Sequence, residues 1–315
     1  MLDVVTLGEA MTLFVPARIG RLRYANHYER SVAGAESNTA IGLAKLGHRV
    51  GWLSRVGDDE FGQYILSFLR GEQVDVSRVR LTPDAPTGVF FKERRSLDAT
   101  RVFYYRAGSA ASRLHPHDLD ADYLRSARYL HLTGITPALS ASCRETTKAA
   151  IQIANEAGVP ISFDPNLRLK LWSAGEAREA FLEILPHVQL VLTSLDEAAL
   201  ITGLSDPERA AARLLDTGPS TVVIKRGEEG ATAADAEGIL FAPAMKVSVV
   251  ETVGAGDAFN AGFLSGRLRG WSLAESLRLG NIMGALATTA PGDIEGLPDW
   301  AEVQAYLGGD APVAR

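Results

Sequence analysis

The chain has 315 residues, 46% of them hydrophobic, which is enough for one large α/β domain or two ordinary ones. Its formal net charge of −6 offers no basic excess to displace counterions, which argues against general nucleic-acid binding but leaves room for a local basic pocket. The lone Cys143 excludes an internal disulfide, and no apolar run approaches the roughly 20 residues that cross a bilayer, so no membrane partner is expected.

The chain opens directly into a strand at residues 4–7, with no basic stretch leading into an apolar core, and the expected compartment is the cytoplasm. Residues 12–31 then break the pattern. A helix is expected over 36–46, where Ala40, Ile41, Ala44 and Leu46 lie near one face and Gly47 stops it. A strand at 50–56 and a helix at 60–70 follow. Residues 87–106 alternate side chains through Gly88-Val89-Phe90-Phe91-Lys92-Glu93 and again through Arg101-Val102-Phe103-Tyr104-Tyr105-Arg106. With the polar turn Ser96-Leu97-Asp98-Ala99 between them, the two halves read as a β-hairpin. This hairpin is either a lid that keeps water from a reactive site or an edge extension of the main sheet.

Further strands are expected at 129–132, 161–164, 190–193 and 221–225, with helices at 144–157 and 207–215. Cys143 falls at the start of one of these helices, as a structural thiol. From Gly256 onward the chain reads as mostly helical, through Gly266 and then 272–289, and only 308–315 is expected to be loosely ordered. Strands alternating with helices imply a mostly parallel sheet covered on both faces, with ligands beyond the carboxyl ends of the strands. No linker divides the chain.

The strongest local signal is Glu251-Thr252-Val253-Gly254-Ala255-Gly256-Asp257-Ala258-Phe259-Asn260. Gly254 and Gly256 let the backbone bring successive N–H groups up to an anion, and the helix that follows adds the favourable end of its dipole. Such a donor cluster suits the charge that builds up in phosphoryl transfer, and Asp257 stands where it can take a proton from an attacking hydroxyl. The alternative is that Asp257 caps the helix and the glycines only turn the chain.

Gly254-Ala255-Gly256-Asp257-Ala258-Phe259 resembles the second signature of the ribokinase-like (PfkB) carbohydrate kinases, and Ala33-Gly34-Ala35-Glu36-Ser37-Asn38-Thr39-Ala40 resembles the first. Val56-Gly57-Asp58-Asp59-Glu60-Phe61-Gly62 is similar to the family's Gly-Asp-Asp-x-x-Gly run. These motifs stand in family order along nearly the whole chain. The resemblance implies one ribokinase-like α/β domain over 1–315, a central mostly parallel sheet flanked by helices with a small β-sheet lid, and lid segments at about 12–31 and 87–106.

It also implies ATP and Mg²⁺ as cofactors, Asp257 as the base, and Gly254, Ala255 and Gly256 as the anion hole. On the nucleotide side it places Asn166, Ser194, Lys225, Gly227, Gly230 and Asn281. Ser194 replaces the Asn of the family's Asn-x-x-Glu motif, while Glu197 is kept and would reach Mg²⁺ through water. Glu197 equally reads as an acid in the first turn of a helix.

Within the family the details are most similar to kinases of 2-keto-3-deoxygluconate, through Gly34-Ala35-Glu36-Ser37-Asn38, Val102-Phe103-Tyr104-Tyr105-Arg106, His131-Leu132-Thr133-Gly134, Asp164-Pro165-Asn166-Leu167-Arg168 and Gly292-Asp293-Ile294-Glu295-Gly296. The implied partner is a small sugar acid. Gly34, Ala35, Asn38, Phe90, Tyr104, Arg106, Arg168 and Asp293 are its expected contacts. Two guanidinium groups, Arg106 and Arg168, suit a carboxylate; Arg168 reads nearly as well as a contact to the ATP phosphates, and the alternative for Arg106 is a solvated place on the hairpin. Phe90 stands where these kinases often place a tyrosine. Tyr105 should face away from Tyr104, and Val89, Phe91, Val102 and Tyr105 offer an apolar outer lid face through which two copies could pair. Other acceptors (fructose, ribose, another keto-deoxy acid) remain as rivals, as does a non-catalytic sugar-binding regulator. A dinucleotide-binding oxidoreductase is disfavoured, because Gly8-Glu9-Ala10-Met11 lacks the glycine-rich turn that it needs.

Overall fold

A computed structural model of the chain describes residues 1–96 and 100–308. Most of the expected hairpin turn and nearly all of the expected loose tail therefore lie outside the described residues. In chain order the strands are β1 (Leu2–Leu7), β2 (Met11–Pro16), β3 (Tyr28–Ala33), β4 (Val50–Leu53), β5 (Arg55–Gly57), β6 (Val74–Asp75), β7 (Arg80–Thr82), β8 (Val89–Arg94), β9 (Thr100–Tyr105), β10 (Ala127–Thr133), β11 (Ile161–Asp164), β12 (Leu190–Ser194), β13 (Thr221–Lys225), β14 (Gly230–Asp235) and β15 (Gly238–Pro243). The helices are α1 (Ala35–Lys45), α2 (Glu60–Gly71), α3 (Ala121–Arg125), α4 (Ile135–Leu139), α5 (Ala141–Glu156), α6 (Ala174–Ile184), α7 (Leu195–Thr202), α8 (Pro207–Leu215), α9 (Ala255–Leu268), α10 (Leu273–Ala287) and α11 (Trp300–Gly308).

The central sheet runs β15-β14-β13-β12-β11-β10-β1-β4-β6, and every pairing from β13 to β6 is parallel. Alternation along a strand sends neighbouring residues to opposite faces. In β12, Leu190 and Leu192 join a core with α1, α2, α9 and α10, while Val191 joins a second core with α5 to α8. Burying each such side chain contributes roughly 1.5–3 kcal/mol. The chain order reverses between β1 and β10, and the crevice at their carboxyl ends is where such a sheet binds ligands.

Two local readings change. The strand expected over 50–56 divides at Ser54, because the Ser54 carbonyl accepts from Arg80 N–H (3.0 Å) and β5 pairs with β7 instead of continuing beside β1. At the other edge, β14 and β15 add an antiparallel pair that periodicity did not mark.

The hairpin is not an edge of the main sheet. It belongs to a separate four-stranded sheet, β3-β2-β8-β9, which combines both irregular segments. Register places Val102 opposite Lys92, on the same face as Phe90 and Tyr104, so Val102 is not an outer residue. It packs instead with Met11, Leu13, Ala33 and Phe90, because residues two apart share a face. Phe103 takes the outer position, and Phe91 there stacks on Phe14 (5.2 Å between centroids) and meets Tyr28 and Tyr105 edge-on.

Candidate active site

Helix α9 begins at Gly254, whose φ of +80° lies in the left-handed region that glycine tolerates. A Cβ on Gly254 would stand 2.2 Å from the Asp293 carbonyl oxygen, so only glycine fits between this turn and the loop after α10. Of the expected anion hole, the Ala255 N–H already donates to the Thr252 carbonyl at 3.3 Å, whereas the N–H groups of Gly256 and, beside it, Asp257 donate to no acceptor among the described residues and stand at the positive end of the α9 dipole. Lys225, at the carboxyl end of β13, brings its Nζ 3.6 Å from where a Cβ of Gly256 would sit. The space over the turn is thus lined by backbone donors and one ammonium group.

Asp257 is 9% exposed and is held by two carboxamides, Asn38 Nδ2 at 2.9 Å and Asn166 Nδ2 at 3.4 Å. Burial pushes its acid up to about 7; the Asn38 bond opposes this, Asp164 adds to it, and the Lys225 and Arg168 charges oppose it. A carboxyl group poised near neutrality can exchange a proton at working pH. Beneath it, Asp164 accepts from Lys225 Nζ (2.9 Å), Asn260 Nδ2 (2.6 Å) and the Asn166 N–H (3.0 Å). Burial favours the neutral form of Asp164, but Lys225 and these donors outweigh it and hold the group below the usual carboxylate range. Asn166 adopts φ +40°, a left-handed conformation that Asn tolerates and that the Asp164 bond fixes.

A cleft of about 1130 Å³ opens between β9 and residues 167–171, lined among others by Tyr104, Arg106, Arg168 and Lys170. Asp257 does not line it, but feels the charge of Arg168. Arg168 bonds only the Leu167 carbonyl (3.1 Å) and has no carboxylate partner among the described residues. Arg106 differs. Its Nε donates to Glu9 at 2.7 Å and a second guanidinium nitrogen pairs with the same oxygen, while Ser109 donates to the other oxygen at 2.5 Å. The expected clamp is therefore one free guanidinium and one already tied to a buried acid.

Phe90 is buried on the inner lid face and stacks on Tyr104 at 5.3 Å. Gly34 is required by close approach, since a Cβ there would stand 2.3 Å from the Glu9 carbonyl oxygen; Ala35 starts α1 beside it. Asp293, raised to about 6 mainly by burial, lies near Asn38 and Lys92. Ser194 caps α7 in a reciprocal box with Glu197, and Glu197 also accepts from Leu167 N–H at 2.7 Å. The helix-start reading of Glu197 is realised. Gly227 and Gly230 bracket a tight turn at φ +58° and +123°, and Asn281 donates to the carbonyls of Ala242 (3.0 Å) and Pro243 (3.1 Å). Of the residues expected on the nucleotide side, Lys225 and Asn166 sit directly beside the base network.

Glu9, Asp164, Asn260 and Lys92 were not singled out as site residues. Asp164 and Asn260 stood inside the motifs already noted, and Lys92 shares strand parity with Phe90, an inward position unusual for a lysine. Glu9 carried no local signal.

The pfkB family of carbohydrate kinases matches residues 1–300. A 2-dehydro-3-deoxygluconokinase of Bacillus subtilis (strain 168) is 41% identical over 309 residues, covering 97% of this chain and 95% of that protein. One of Thermoproteus tenax is 38% identical over 311 residues, covering 98% and 94%. The crystal structure of a putative ribokinase II from E. coli in complex with ATP and Mg²⁺ superposes with a TM-score of 0.91 at 27% identity, over 98% of this chain and 100% of that one.

Proposed function

The chain belongs to the pfkB family of carbohydrate kinases, with a ribokinase-like fold, and from that premise we propose that it phosphorylates 2-keto-3-deoxygluconate on its 6-hydroxyl, using ATP and Mg²⁺. The observation that carries this reading is the convergence of a buried carboxyl raised to about 7, two free backbone N–H groups and an ammonium group at the start of α9. Asp257 takes the proton of the acceptor hydroxyl as its oxygen attacks the γ-phosphorus. The N–H groups of Gly256 and Asp257, with Lys225, meet the charge on the transferring group. ATP and its metal supply the phosphoryl group and part of the charge neutralisation. Three or more metal-ligating side chains do not converge among the described residues, so Mg²⁺ would take most of its ligands from phosphate and water, with Glu197 reaching it through water.

On the nucleotide side we assign Ser194, Gly227, Gly230 and Asn281, with Asn166 shared between base and phosphate. On the acceptor side, Gly34, Ala35, Asn38, Phe90, Tyr104 and Asp293 shape the pocket, and Arg106 and Arg168 receive the carboxylate. The whole chain acts as one catalytic unit in the cytoplasm, with the lid at about 12–31 and 87–106. Two copies pair through the outer lid face of Phe14, Phe91, Phe103 and Tyr105.

The test is an ATP- and Mg²⁺-dependent assay offering 2-keto-3-deoxygluconate beside gluconate, fructose and ribose. Turnover of the keto-deoxy acid alone is expected. Glu9 already neutralises part of Arg106, which favours a neutral sugar as the second reading; preferred turnover of fructose or ribose would select it.

A further inference from the structure

Lys92 projects from the inner face of β8, where its side chain is only 4% exposed. Its ammonium group meets the Glu251 carboxylate and lies 3.8 Å from Asp293 Oδ1. These two acids come from the two loops that flank the start of α9. Glu251 leads into the Gly254 turn, and its backbone N–H donates to the Thr288 carbonyl at 3.1 Å. Its side chain also accepts from the Gly292 N–H at 2.9 Å and from Arg94 of the same lid strand at 3.3 Å. Asp293 is in the loop whose carbonyl presses on Gly254. A third lid contact reaches that loop from β3, where Ser31 Oγ donates to Glu295 at 2.7 Å.

Two largely buried carboxylates converging on one turn repel each other unless a cation lies between them. This chain supplies the cation from its lid. We infer that Lys92 is a positioning residue, a built-in counter-ion that locks the two loops against the Gly254 turn and so couples the lid strand to the alignment of the phosphoryl-binding N–H groups. Arg94 binds the outer side of Glu251 and does not reach Asp293 among the described ion pairs, so it does not duplicate the bridge. The inference rests on reading the Gly254 turn as the phosphoryl site.

The experiment is Lys92→Ala, assayed at saturating ATP, Mg²⁺ and acceptor, with methylammonium chloride and with tetramethylammonium chloride at equal ionic strength. A turn displaced by even about 1 Å costs on the order of 10²-fold in rate, so kcat is expected to fall by that order while acceptor KM changes less. Methylammonium should restore part of kcat; the larger tetramethylammonium should not. Wild-type kcat in the variant overturns the inference, and so does a loss in folded protein that methylammonium leaves untouched. If Lys92→Ala does not fold, the charge-reduced pair Lys92→Met with Glu251→Gln replaces it: slow turnover is expected, and wild-type kcat overturns the idea. If the wild-type protein phosphorylates no sugar, the kinase reading fails by itself. The counter-ion is then read by melting temperature, which methylammonium should raise in Lys92→Ala and not in the wild type; equal responses overturn it.

Discussion

The proposed mechanism turns on Asp257, whose environment sets its protonation. With the folded carboxyl raised to about 7, the free enzyme holds it protonated in acid, and kcat/KM should rise with pH through about 7 and then level. Asp257→Asn should lower kcat by about 10²–10⁴ and abolish that limb of the profile. The same shift predicts stability. A carboxyl raised in the folded state binds its proton more tightly there than in the unfolded chain, so its contribution is present at low pH and is lost as pH rises through about 7. Asp257→Asn should therefore melt higher than wild type above that pH, measured by calorimetry, and lose the advantage near pH 4. At the acceptor end, Arg106→Met should raise KM for a keto acid by about tenfold or more while leaving KM for ATP nearly unchanged, since charge-assisted bonds are worth about 1.5–3 kcal/mol. An equal rise in both constants would place Arg106 elsewhere.

Among the elements, α9 and α7 show how local sequence builds a site. The Gly254 turn is strained for any other residue and also sterically closed, so Gly254→Ala should reduce kcat strongly even if the protein folds. Ser194 was expected on the nucleotide side, and its contact in the structure is a helix cap. Ser194→Ala should cost about 1 kcal/mol and loosen Glu197, read by denaturant unfolding. The lid has a second face. Phe14, Phe91, Phe103 and Tyr105 leave aromatic surface open, with Tyr105 65% exposed. Tyr105→Glu should shift the molecule toward monomer in sedimentation if two copies pair there, and an unchanged mass would remove the lid as their contact.

For the molecule as a whole, segments far apart in sequence meet at one end of the sheet, residues 34–38, 90–94, 104–106, 164–168, 225 and 251–260, and the proposed catalysis draws on all of them. A ligand that bridges them should stabilise all of them together. A nonhydrolysable ATP analogue with Mg²⁺ at about 100 times its Kd should add about 2.7 kcal/mol to unfolding.

Much of this was legible in the chain alone. Apolar runs and helical spacing mark β11, β13 and α8 with their observed bounds, because their burial is periodic and their ends carry caps or breaks. The Gly254 turn ahead of Asp257 was legible because it depends on neighbours in sequence, glycine freedom followed at once by a helix N-terminus. Where the answer depended on a partner distant in sequence, the chain was silent. The division of residues 50–57, the inward place of Val102, the hold of Glu9 on Arg106 and the seat of Lys92 between Glu251 and Asp293 were decided only when the sheets packed. Hydrogen bonds and ion pairs are fixed by distance in space, and residues 97 or 159 positions apart in the chain leave no mark on each other's surroundings until the fold closes.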